Sequence, residues 1–204
     1  MKKYVRGTSV LVVLWACSTI GYAHSADLGL SVGGGFTELK ESTRYDNNLG
    51  KGAGNIDFRG ELLLAERIYL AGGGLVTFYN DRNSFSQLTQ NVNNGDTQDS
   101  QSTLSGVSGF FELGYHQPLS THFYAGLNGG VLFTPNPKRS ILNCTDCQVE
   151  SVDIGENEPF IAPVVGYYRN PGFKVELEYR KLIGNQPFDQ MALLTLGYLW
   201  RIKH

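Results

Sequence analysis

No stretch of this chain reaches the eighteen or so uninterrupted apolar residues of a membrane-crossing helix, which excludes an all-helical membrane protein. Cysteine is scarce, at three residues. Cys17 lies in an apolar N-terminal run, and the other two, Cys144 and Cys147, share the segment "NCTDCQ". A zinc site needs four ligands, and neither a second cysteine pair nor a nearby histidine is there to complete one. A thioredoxin-like pair would open a helix after a strand, whereas this one lies in a polar stretch. Charge is also sparse, at 18% of residues with a net of −2, so there is no basic footprint for nucleic acid. The glycine runs at 33–35, 72–74 and 129–130 are not followed by the Lys-Ser/Thr of a phosphate loop. Neither a metal nor an organic cofactor has an evident cradle, and no catalytic residue stands out.

What is present points to β-structure. The 204 residues suit one domain, and 41% apolar content argues against disorder. There are 25 glycines, with 11 Phe and 11 Tyr, a balance that fits strands better than helices. The N-terminus reads as a secretory signal peptide over residues 1–26. Lys2, Lys3 and Arg6 precede an apolar core that fades into small residues, with cleavage expected after Ala23 or Ala26. "LWAC" at 14–17 also resembles a lipobox, an alternative that would make Cys17 an acylated terminus. If the leader is removed, Cys144 and Cys147 are left as an even pair in an oxidising compartment. A local disulfide pinning a loop is the expected outcome.

From residue 27 onward, long apolar-rich runs alternate with polar segments. Eight strands are expected, at about 27–39, 55–65, 68–79, 104–116, 122–134, 158–169, 172–182 and 190–200. Membrane-spanning strands need about 9–11 residues, against about five or six in ordinary globular strands. Connections alternate long and short along most of the chain. In an up-and-down antiparallel sheet, that puts the long loops at one end and the tight turns and termini at the other. Outer-membrane barrels have this arrangement, with long extracellular loops and short periplasmic turns.

Alternation assigns the faces. Ile56, Phe58, Gly60, Leu62 and Leu64 oppose Asp57, Arg59 and Glu61. Val107, Phe111, Leu113 and Tyr115 oppose Ser108, Phe110 and Glu112, and Phe123, Leu127 and Phe133 oppose Tyr124, Asn128 and Thr134. In "FKVELEYRKL", Phe173, Val175, Leu177 and Tyr179 oppose Lys174, Glu176, Glu178 and Arg180. A soluble sandwich would turn the charges outward; a membrane barrel turns them inward. The third and sixth strands, "YLAGGGLVTFY" and "FIAPVVGYY", are apolar on both faces, and Pro163 interrupts the latter. Aromatics gather in two bands, the pattern of two membrane–water interfaces. Tyr69, Tyr115, Phe123, Tyr168, Phe173 and Trp200 fall near the tight turns, and Phe36, Phe78, Phe133, Phe160 and Tyr179 near the long loops.

With these features, residues 27–200, nearly all of an expected barrel domain at 27–204, resemble the small eight-stranded outer-membrane barrels of Gram-negative bacteria, the OmpA-like and OmpX-like group. The resemblance implies an all-β, eight-stranded up-and-down antiparallel transmembrane β-barrel, integral to the outer membrane. Partners implied are outer-membrane lipid, lipopolysaccharide and the barrel-assembly machinery. "MALLTLGYLW" is similar to the C-terminal assembly signal of such proteins, with Gly197, Tyr198 and Trp200 as its marks. It departs from the pattern in that "RIKH" follows the last aromatic.

The expected lumen gathers Asp57, Glu61, Glu112, Glu176 and Glu178 with Arg59, Lys174 and Arg180 as a mutually paired network. His116 and His122 flank the turn "QPLST" and read as solvated. The third long loop carries Lys138, Arg139, Ile141, Leu142 and Val149 around the expected disulfide. Apolar residues pinned in a polar loop make a candidate contact site for a host or cell-surface partner. The function expected is therefore non-enzymatic, with loops mediating adhesion, partner contact or envelope integrity. Solute or ion transport through the lumen is the alternative, and an envelope lipid-modifying enzyme the weaker one.

Overall fold

The computed structural model describes residues 26–46, 49–65, 67–81, 102–141, 150–151, 154–169, 172–184 and 188–202. The elements are β1 (Ala26–Leu39), α1 (Glu41–Asp46), β2 (Leu49–Leu64), β3 (Ile68–Asp81), β4 (Ser102–Pro118) and β5 (Phe123–Thr134). They continue with β6 (Lys138–Ile141), β7 (Glu150–Ser151), β8 (Glu156–Tyr168), β9 (Gly172–Leu182) and β10 (Phe188–Ile202). The wall runs β3-β2-β1-β10-β9-β8-β5-β4, and pairing between β3 and β4 closes it into an eight-stranded antiparallel barrel. Closure leaves no free sheet edge in the wall, the condition for strands to stand in hydrocarbon. Termini and tight turns share one end, hereafter the turn end, and the long connections share the other, the loop end.

Sequence and structure differ most at the loop end. β2 begins at Leu49, six residues before the expected start, because the glycine-rich "LGKGAG" is strand and not loop. Gly52 makes room for Phe36 there: a Cβ on it would stand 1.9 Å from the tip of that exposed ring, which would have to swing aside. The third long connection is not wholly irregular. β6 pairs with the start of β4, Leu104 opposite Arg139, and β7 pairs with β6, so β5 and β8 are prolonged beyond the wall as a hairpin. On β8, the ladder to β9 skips Ala162 and Pro163 and resumes in the same register, as expected where proline has no N–H to donate.

The outer wall is apolar. Leu30, Phe58, Val107, Phe111, Leu127, Val165, Leu177 and Leu194 are all exposed. The assigned faces hold on β4, β5 and β9 throughout. On β2, Leu64 turns out to be buried beside the first tight turn, as its neighbour Leu63 is, so alternation stops before the strand does. The two aromatic bands need correction. Tyr115, Phe123, Phe173 and Trp200 at the turn end are exposed, as are Phe36, Phe78, Phe133 and Tyr179 at the loop end, but Tyr69, Tyr168 and Phe160 point into the barrel and are buried. These three belong to the two strands that are apolar on both faces, where alternation gives no sign of which side is in.

Candidate functional site

The lumen is filled in three layers. At the loop end, Leu39, Leu49, Leu75, Tyr79, Leu104, Leu132, Ile154, Phe188, Met191 and Leu193 belong to one apolar cluster. Leu75, Leu132, Leu193 and Phe188 in it are 0% exposed, so this layer is a plug. Glu158, also buried, ties the plug to its rim: its carboxylate accepts from the Phe188 N–H at 3.4 Å and lies 3.8 Å from Lys40 Nζ. Lys40 also donates to the Gly184 carbonyl.

The middle layer is the expected charge network, and all eight of its members converge. Arg59 Nε donates to Asp57 Oδ1 at 2.7 Å, and its Nη1 reaches Glu178 at 2.9 Å, Glu112 at 3.1 Å and Glu176 at 3.5 Å. Arg180 donates to Glu178 through Nε at 2.7 Å and to Glu112 through Nη2 at 3.0 Å. Lys174 donates to Glu61 at 2.6 Å and lies 3.3 Å from Glu176. Ser31 donates to the other Glu61 oxygen. None of the eight charged residues is more than 3% exposed. Aromatic faces line the layer: the Arg180 guanidinium lies 4.5 Å from the Phe110 ring centre and 4.6 Å from that of Phe160. Phe160 fits because Gly130 opposite it has no side chain; a Cβ there would meet the ring at 2.6 Å. The pairing is incomplete, since Asp57 Oδ2, Arg59 Nη2 and Arg180 Nη1 are buried without a hydrogen-bond partner.

The third layer, at the turn end, was not anticipated. His116 is buried and faces inward, where its position beside a turn had suggested a solvated residue. Its ring stacks between Tyr69, at 4.5 Å, and Tyr124, at 4.8 Å, and its Nε2 is 3.0 Å from Asn128 Oδ1. The same two-residue parity that placed Ser108, Phe110 and Glu112 inside reaches His116, because β4 runs on to Pro118. Tyr124 donates to Glu176 at 2.5 Å, linking this layer to the charges. His122 is exposed and stacks on Tyr167 at 5.6 Å.

Of the loop candidates, Lys138 is exposed at the start of β6, and Arg139 and Ile141 follow in that strand. Leu142, Val149, Cys144 and Cys147 lie outside the described residues, as do Cys17 and residues 1–25 of the leader. In the C-terminal strand, Tyr198 and Trp200 stand exposed on one side with ring centres 5.1 Å apart. The strand continues past them: Arg201 and Ile202 pair with Asp27 and Ala26, so half of "RIKH" is wall. Among the described residues, no group of three His, Cys, Asp or Glu side chains converges as a metal site.

No protein-family model and no curated protein sequence matches this chain. Solved structures do. The N-terminal β-barrel domain of Pseudomonas aeruginosa OprF aligns with a TM-score of 0.51 at 12% identity, over 87% of this chain and 98% of that one. Ail, the attachment invasion locus protein of Yersinia pestis, solved with the heparin analogue sucrose octasulfate, gives 0.49 at 13% identity, covering 87% and 99%. Neisserial surface protein A gives 0.44 at 10% identity, covering 89% and 97%. Closed by its β3–β4 ladder and matching the OprF barrel along nearly its whole length, this chain has the fold of the small eight-stranded outer-membrane β-barrels.

Proposed function

We propose that this protein is an integral outer-membrane barrel that does no chemistry and acts through its loop end, in adhesion, partner contact or envelope integrity. One observation carries the reading: the chain is inside-out. Its charges are buried in the lumen while Leu30, Val107, Leu177 and Leu194 stand exposed in a continuous apolar wall. Water would punish that surface by about 25 cal/mol for each Å2 of exposed apolar area, whereas lipid does not. The lipid of the outer membrane, lipopolysaccharide included, is the partner for that wall, and Gly197, Tyr198 and Trp200 are the marks for the assembly machinery. Of the two leader cleavage positions, the one after Ala23 leaves β1 whole, because Ala26 is already paired with Ile202 and Leu64.

The β6–β7 hairpin supports the loop-contact role, since it sets residues 138–141 and 150–151 in paired strands at the loop end. Transport is less well supported: Leu75, Leu132, Phe188 and Leu193 fill the loop end with no exposure, and the charge layer below them is buried and largely paired. Two experiments test the proposal. The folded protein should need detergent for extraction and should migrate differently on a gel before and after boiling; soluble, heat-indifferent material would overturn it. Deleting 138–150 should abolish binding to cells or matrix with the barrel still assembled. Steady unitary currents in a planar bilayer would favour transport instead.

A further inference from the structure

The bases at the turn end outnumber the acids. Arg67, Arg169, Arg201 and Lys203 belong to that end of the chain's strands, against Asp27 and Glu66. Lys203 and Glu66 lie outside the described residues. Asp27 is buried and pairs with Arg201 at 3.2 Å. Arg67 and Arg169 are exposed, and among the described residues neither has a carboxylate partner. At the loop end, by contrast, Lys51 lies 2.9 Å from Glu38, Lys181 lies 2.6 Å from Asp189 and Lys40 lies 3.8 Å from Glu158. The chain's own acids occupy those lysines.

The turn-end bases are also spread around the rim. The chain closes there at four places: the β2–β3, β4–β5 and β8–β9 turns and the paired ends of β1 and β10. Each place has a base close to an exposed aromatic residue. Arg67 donates through Nη1 to the Tyr115 hydroxyl at 3.2 Å. His122 stacks on Tyr167, beside Phe123. The Arg169 N–H donates to the Phe173 carbonyl at 3.0 Å, and Arg201 follows Trp200 on β10. Tyr115, Phe123, Phe173 and Trp200 are each about half exposed. Exposed rings in a membrane wall settle at headgroup depth, so the arginines beside them are held where lipid phosphates lie. A planar guanidinium suits that partner, since its fork offers two parallel N–H donors to a phosphate.

We propose that the turn-end rim is a lipid-headgroup surface, on which Arg67 and Arg169 bind the phosphates of anionic phospholipids in the leaflet the turns face. The spacing favours lipid over a soluble anion. The two arginines stand at different turns, with β1 and β10 between their hairpins, so a compact anion would meet one of them while a shell of lipid meets both. The inference rests on the reading of the chain as an integral membrane barrel.

Spin-labelled lipids are the probe, with the folded protein in phosphatidylcholine bilayers. Labelled phosphatidylglycerol should be immobilised against the protein about two- to fivefold more strongly than labelled phosphatidylcholine, the scale of attraction to one or two interfacial bases. Arg67→Gln together with Arg169→Gln should bring that ratio close to one. Both side chains are exposed, so heat-dependent gel migration should show the double variant folded. Lys51→Gln with Lys181→Gln, at the loop end, should leave the ratio unchanged. No preference for phosphatidylglycerol, or a preference that survives loss of both arginines, overturns the inference and leaves the barrel standing. Loss of the preference to inorganic phosphate, but not to chloride at equal ionic strength, would also overturn it by revealing a site for a soluble anion. If neither labelled lipid is immobilised at all, the membrane reading itself fails.

Discussion

Arg59 on β2 donates to Glu178 on β9 at 2.9 Å, across a lumen whose wall places β1 and β10 between those two strands. The bond crosses the lumen between strands that are not neighbours, and Glu178 also accepts from Arg180 Nε at 2.7 Å. One carboxylate therefore holds two guanidiniums, all three groups being buried. Glu178→Gln keeps the shape and removes the charge. Breaking a fully buried pair costs about 3–5 kcal/mol, so the variant should lose about 3 kcal/mol in reversible denaturant unfolding in detergent or bilayers. A loss under about 1 kcal/mol would mean the pair behaves as a solvated one.

Leu177 alternates with Glu176 and Glu178, and it is 52% exposed on the outer wall. Leu177→Arg should cost about 2–4 kcal/mol near the bilayer midplane. Because a sandwich core would resent the same change, the discriminating measurement is a spin label at position 177. It should be quenched by lipid-soluble oxygen and shielded from an aqueous relaxation agent; the reverse pattern would place this face in water.

Much of this was legible in the sequence, and the reason is period two. Where one face was charged, alternation gave the inside correctly, on β9 throughout and on β2 as far as Leu62, and the charge network followed. On β3 and β8 both faces are apolar, so Tyr69, Phe160 and Tyr168 were assigned to the lipid belt when they fill the lumen. Strand ends failed for a different reason. Glycines at 50, 52 and 54 look like loop, but they lie in β2, where Gly50 and Gly52 admit Asn80 and Phe36, tertiary contacts that no local propensity encodes. His116 was missed because proximity to a turn outweighed the strand parity that put it inside.

The same glycines give a matched pair of tests. A Cβ on Gly73, inside the barrel, would stand 2.0 Å from the Phe58 carbonyl oxygen, a backbone atom that cannot swing away. Gly54 faces outward with nothing within 4 Å of a Cβ. Gly73→Ala should therefore destabilise by about 1–3 kcal/mol through overpacking. Gly54→Ala should be neutral or stabilise by a few tenths of a kcal/mol to about 1 by restricting the unfolded chain. Equal effects in unfolding titrations would mean that β2 does not approach Gly73 as closely as described.

His116 offers a test of the turn-end layer. Its ring is held by stacking on both faces, and its Nε2 lies 3.0 Å from Asn128 Oδ1. His116→Phe preserves the stack with Tyr69 and Tyr124 while removing the polar contact, and Asn128 Nδ2 already has no partner. Leaving a buried amide wholly unpaired costs about 1–3 kcal/mol, and the variant should fall in that range. His116→Phe combined with Asn128→Leu removes both partners and should recover most of the loss. Failure of the double variant to improve on the single would show that the two residues do not act as a pair.

The first tight turn carries a backbone position that the sequence disguises. Ala65 adopts φ = 49°, in the left-handed region that L-residues with a Cβ avoid, and it links Leu64, the end of β2, to the turn closed by the Arg67 N–H on the Leu64 carbonyl at 3.0 Å. Holding alanine there costs about 1–2 kcal/mol, and glycine would not bear that cost. Glycine also has more freedom to lose from the unfolded chain, by about 0.5–1 kcal/mol, so the two effects oppose each other. The strain is the larger, and Ala65→Gly should stabilise the barrel by about 0.5–1 kcal/mol. Ala65→Val, β-branched at the same φ, should do the opposite. Since the turn sits outside the apolar wall, neither change should alter detergent requirement or heat-dependent migration, which keeps the stability readout clean. If Val proved no worse than Ala, residue 65 would not hold a left-handed conformation in the folded protein.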